Sequence, residues 1–171
     1  MLIDTHCHLD FKDFDPDRDF VLDRAAAKGV VRIINVGSSL EGTRRAIELS
    51  KKYDIVYASA GIHPHDAGLV TDKTFEELKI LAADDKVVAI GEVGLDYYRN
   101  LSPKDKQIEV FTKFIKLARG LDLPLIIHSR EAGDDVIGIL KNERRTTNDE
   151  QRIHAISSKA RPRRGSHRRR R

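Results

Sequence analysis

Two histidines separated by a single residue, in Asp4-Thr5-His6-Cys7-His8, are the first side chains in the sequence that could do chemistry. They close a short apolar run that reads as a strand. Successive strand side chains point to opposite faces, so His6 and His8 share a face and can converge on one ion, while Cys7 turns away as a packed thiol. A second feature is Glu92, in Ala89-Ile90-Gly91-Glu92-Val93-Gly94-Leu95-Asp96. Its two oxygens can bridge two cations, and the flanking glycines let a loop bend tightly and let a substrate approach the backbone. A third is His128, directly after Leu125-Ile126-Ile127. Singly, each has an ordinary alternative: two unrelated histidines, a solvated loop acid, a hydrogen-bonded core imidazole. His63 and His65, in Gly61-Ile62-His63-Pro64-His65, also follow an apolar run, and Arg99 and Arg130 lie near the same rim. The two histidines fit outer contacts to a metal or contacts to substrate as well as they fit plain loop positions. Arginine matches phosphate geometry, although a rim arginine is also commonly just solvated.

The elements that must position these residues alternate regularly through residue 140. Apolar runs at 2–6, 30–36, 55–60, 87–90 and 123–127 predict five strands. Helices are expected at about 17–28, 41–52 and 74–83, with another beginning at 134. A long helix is expected after Ser102 as N-cap and Pro103 in its first turn, carrying an apolar stripe at Val110, Phe111, Phe114, Ile115, Leu117 and Ala118 and ending at Gly120. Strands apolar throughout and separated by helices imply a parallel sheet covered by helices. No glycine-rich phosphate loop follows the first strand, which counts against a dinucleotide-binding sheet. The expected fold is therefore α/β, of the (β/α) TIM-barrel type, with about five βα units of eight. In such barrels the site lies at the C-terminal ends of the strands, and His6, His8, Glu92 and His128 all take that position on the first, fourth and fifth strands. Mixed imidazole and carboxylate donors suit borderline divalent ions such as Zn²⁺ or Mn²⁺.

Charge divides the 171-residue chain in two. Acidic side chains outnumber basic ones up to residue 140, whereas residues 141–171 are strongly basic and end in Arg168-Arg169-Arg170-Arg171, so the net charge of +4 belongs to the tail. Residues 1–141 are expected to form one domain, a partial barrel carrying the candidate metal ligands, and 142–171 a basic, disordered or frame-shifted tail, since that segment lacks apolar periodicity. One cysteine excludes an internal disulfide and fits a reducing compartment. No apolar stretch approaches the roughly 20 residues needed to cross a bilayer, and no basic-then-apolar leader opens the chain, so a cytoplasmic location is expected.

Four segments together resemble the TatD family of metal-dependent deoxyribonucleases: Asp4-Thr5-His6-Cys7-His8-Leu9-Asp10, Gly61-Ile62-His63-Pro64-His65, Ala89 through Arg99, and Leu123 through Arg130. The resemblance covers residues 1 to about 140. It implies an amidohydrolase-like TIM barrel with two divalent metal ions (Mg²⁺, Mn²⁺ or Zn²⁺), His6, His8 and Glu92 serving the first and Glu92 and His128 the second, and a DNA phosphodiester as substrate. It also implies a further histidine ligand after a sixth strand, for which Ile153-His154-Ala155-Ile156-Ser157-Ser158 offers His154, and a late aspartate in a Thr-Asp motif that this sequence lacks. The abrupt change of composition near residues 141–145 is what truncation or a shifted reading frame would produce, and an open half barrel would expose strand edges and apolar faces. Two other readings stand beside the nuclease. One is a related hydrolase of another ester, such as aminoacyl-tRNA. The other is an inactive remnant whose Arg-rich tail binds nucleic acid through counterion release, without sequence preference.

Overall fold

The computed structural model describes residues 1–145. Strands β1 (Leu2–Cys7), β2 (Val30–Asn35), β3 (Val56–Ala60), β4 (Val87–Asp96) and β5 (Leu125–Arg130) alternate with helices α1 (Arg18–Ala27), α2 (Leu40–Lys52), α3 (Asp72–Ala82), α4 (Lys104–Leu121) and α5 (Gly133–Arg145). The strands form one sheet in the order β1-β2-β3-β4-β5, every pair parallel. This is the curled half of a (β/α) barrel that the alternation predicted.

Side-chain periodicity explains the helices. In α2, Ser39 caps the first turn by accepting the Gly42 N–H at 3.0 Å, and Ala46 and Ile47 are buried against β3. In α4, Val110, Phe111, Phe114, Ile115 and Ala118 fall on one stripe and fill the main core with Leu78, Ile90, Val93 and Leu95. A smaller cluster of Leu9, Leu22, Ile33 and Val56 sits under β1 and β2.

Four boundaries differ from the sequence expectation. Strand β4 runs six residues past Ile90, through Gly91 and Gly94. These glycines read as loop breakers, yet their cause is packing: a Cβ on Gly91 would come within 2.5 Å of the Ile126 carbonyl, and one on Gly94 would collide with that of His128. Ser102 does not cap α4. Its hydroxyl donates to the His65 carbonyl at 2.6 Å and accepts the Gly68 N–H at 2.9 Å. Gly120 lies within α4, and the left-handed residue that ends the helix is Asp122, with φ of 57°. Helix α5 continues to Arg145, beyond the boundary expected at residue 141.

Among the described residues, the two outer strands each pair with one strand only, as in a half barrel. Leu2 and Ile3 on β1 are 57% and 56% exposed, and Ile127 on β5 is 36% exposed. No helix among the described residues is long and apolar enough to cross a membrane.

Candidate metal centre

The C-terminal ends of β1, β4 and β5 bring His6, His8, Glu92 and His128 together, as the strand register required. Glu92 is the hub. Its Oε2 lies 3.6 Å from His6 Nε2 and 4.0 Å from His8 Nε2, and its Oε1 lies 3.1 Å from His128 Nδ1. Two clusters of donor atoms result, His6–His8–Glu92 and His63–Glu92–His128, sharing the one carboxylate.

Hydrogen bonds fix the ring tautomers. His8 Nδ1 lies 2.9 Å from the Val36 carbonyl, which can only accept, so Nδ1 carries the proton and Nε2 presents a lone pair toward Glu92. Phe11 stacks on the His8 ring with centroids 4.8 Å apart and holds its plane. His128 Nε2 donates to Asp96 Oδ2 at 3.1 Å, which leaves its Nδ1 lone pair facing Glu92 Oε1. His63 Nδ1 accepts the His65 N–H at 3.2 Å, so its Nε2 carries a proton and donates to His128 Nδ1 at 3.1 Å. That tautomer makes His63 a donor, although its position falls in the second cluster. Burial and repulsion from His128 push the His63 pKa down to about 4, so the ring is neutral at neutral pH.

Asp96 is the functional residue that the sequence reading missed. It is fully buried, and its Oδ2 accepts from both His65 Nε2 at 2.8 Å and His128 Nε2 at 3.1 Å. Its Oδ1 accepts the Arg99 N–H at 2.7 Å, and Gln107 binds its backbone N–H at 2.8 Å. Burial raises the Asp96 pKa, but the Arg99 N–H and the two imidazoles outweigh it and hold the carboxylate at about 2. The signal available was its place four residues after Glu92, on the same face if the strand continues.

The remaining predicted positions divide. His65 joins the network as a donor to Asp96 and contributes to neither donor cluster. Arg130 packs its guanidinium 4.0 Å over the Tyr98 ring. Arg99 is exposed on the rim. Cys7 is half-buried with its thiol on the Ile34 carbonyl, and burial pushes its pKa up to about 12, as expected of a packed thiol. His154 lies outside the described residues.

The donor set and its spacing fit a divalent cation. His8 Nε2 and Glu92 Oε2 are both acceptors, too far apart for a hydrogen bond. Two ligands each about 2.1 Å from one ion sit roughly 3 to 4 Å apart, which is the spacing found here.

The family model described as TatD related DNase matches residues 3–163. The chain belongs to this family of metal-dependent hydrolases. It is 48% identical over 143 residues to an uncharacterised metal-dependent hydrolase, YabD, of Bacillus subtilis, covering 84% of this chain and 56% of that protein. It is 37% identical over 139 residues to a 3′-5′ ssDNA/RNA exonuclease TatD of Cronobacter sakazakii, covering 81% of this chain and 53% of that one. Among solved structures it resembles YjjV, a TatD homologue of Escherichia coli, with a TM-score of 0.77 and 37% identity over 82% of this chain and 55% of that one. The chain thus spans about half the length of the TatD relatives it matches.

Proposed function

We propose that this chain carries the metal-binding half of a phosphodiester hydrolase acting on DNA, with His6, His8, Glu92 and His128 as ligands to two divalent cations and Glu92 shared between them. The observation that carries the reading is the convergence of ring nitrogens of His6, His8 and His128 on opposite oxygens of one carboxylate. Cations held there would supply Lewis acidity to the phosphoryl oxygens of the scissile bond.

The chain's own residues do the rest. Asp96 holds His128 in one tautomer, which keeps Nδ1 directed at Glu92. His63 keeps a proton on Nε2 and donates it to His128 Nδ1. Arg130 and Arg99 place cationic donors on the rim, where the charge and planarity of guanidinium suit a phosphate. During hydrolysis water adds to phosphorus, the bond to the leaving sugar oxygen breaks, and that oxygen takes up a proton. The name of the Cronobacter relative, an ssDNA/RNA exonuclease, supports the same bond class.

The test is release of nucleotides from a single-stranded oligonucleotide by chelator-treated protein reloaded with Mn²⁺ or Mg²⁺. Wild-type protein should show metal-dependent release, and Glu92→Ala should lower it by at least ~100-fold. Full activity in Glu92→Ala, or none in reloaded wild-type protein, would overturn the proposal.

A further inference from the structure

Two exposed aromatic side chains flank the metal centre, and their surroundings differ. Phe11 is stacked on His8, so that ring is committed to holding a candidate ligand, and its surroundings carry both signs of charge, Asp10, Asp13 and Glu41 with Lys12 and Arg45. Tyr98 lies on the opposite side, after β4. It is 57% exposed, and the Arg130 guanidinium covers one side of its ring at 4.0 Å. Arg130 is two residues beyond His128 on β5 and pairs in register with Asp96, two residues before Tyr98.

The segment that carries Tyr98 is held in place. The Tyr97 N–H donates to the Arg130 carbonyl at 2.9 Å, the Tyr97 hydroxyl donates to Asp135 at 2.7 Å, and Lys104 sits 4.1 Å over the Tyr97 ring. The Arg99 N–H is fixed by Asp96, and Ser102 pins the segment to the loop after β3. An exposed ring on a fixed backbone, backed by a guanidinium, is what an unpaired base stacks on. Stacking tolerates any base, and a pre-ordered ring loses little entropy on binding.

We propose that Tyr98 and Arg130 form a stacking platform that holds the base next to the scissile phosphate. This rests on the phosphodiesterase reading. The ring takes the base and Arg130 stays in reach of the adjoining phosphate.

The experiment is fluorescence anisotropy of the full chain, in chelator, with a labelled six-nucleotide oligothymidylate and with an abasic strand of the same length. Wild-type protein should bind the thymidylate roughly 5- to 100-fold more tightly than the abasic strand. Tyr98→Ala should lose that preference while keeping its affinity for Mn²⁺, and Tyr98→Phe should keep both. Arg130→Gln should weaken binding to both strands and flatten its salt dependence. Equal affinity of wild-type protein for the two strands, a preference retained in Tyr98→Ala, or binding of neither strand overturns the platform. Metal-dependent hydrolysis of bis(p-nitrophenyl) phosphate, which carries no nucleobase, is measured on wild-type protein in parallel. Hydrolysis without base preference defeats the platform alone; base preference without hydrolysis defeats the phosphodiesterase reading instead.

Discussion

The two arms of the metal centre are built differently. The arm on β3, β4 and β5 is braced: His128 is held by Asp96, Asp96 by Arg99 and Gln107, and His63 by the His65 backbone. The arm on β1 is not. The His6 side chain is 44% exposed, and β1 pairs with β2 alone among the described strands. Only His8 has a ring nitrogen anchored, on the Val36 carbonyl. The comparison teaches that preorganisation at this site comes from the buried Asp96 carboxylate rather than from strand pairing, since β5, like β1, has one strand neighbour among the described residues. No carboxylate plays that part beside His6, whose ring orientation is therefore not fixed in the same way.

The strongest way to break the comparison is to force the braced arm apart. Gly94→Ala places a methyl group against the His128 carbonyl with φ at 143°, so β4 and β5 must separate. A loss of about 3 kcal/mol or more in denaturant unfolding is expected. An unchanged midpoint would mean that the two strands are not locked together. Next is removal of the brace itself. Asp96→Ala leaves His65 and His128 without their acceptor and should cost about 2 kcal/mol in metal-free protein, whereas His6→Ala should cost under ~0.5 kcal/mol. Equal losses in the two variants would erase the distinction between the arms. The smallest effect is a titration. Burial, and then the bond to Asp135, push the Tyr97 pKa up to about 12. An acid raised in the folded state contributes stability that is complete below its unfolded value near 10 and lost as pH rises through 12. Ultraviolet titration should therefore show one late tyrosine, which Asp135→Asn shifts downward.

The same contrast explains what could be read in the sequence. The five βα units were legible because strand and helix periodicities differ and recur. The four principal ligand candidates were legible because each closes an apolar strand, a register that unrelated histidines have no reason to share. Asp96 was hidden because its role depends on β4 continuing through Gly91 and Gly94, and glycines read as breaks until the closeness of the β5 backbone is known. Ser102 was misread for a related reason. A serine before a proline has the pattern of a helix cap, but its hydroxyl is committed to the loop after β3, a contact 37 residues away in sequence. The tautomers of His63 and His8 likewise rest on backbone groups that only the fold brings near.

The central claim is that Glu92 joins two sets of imidazole donors into one divalent-cation site. Isothermal titration of the full chain with Mn²⁺, wild type against Glu92→Ala, tests it most directly. Saturable binding by wild-type protein that weakens on the order of 100-fold or more in a Glu92→Ala variant of unchanged circular dichroism is the predicted result. Equal affinity in the two proteins, or no saturable binding by wild-type protein, would contradict it.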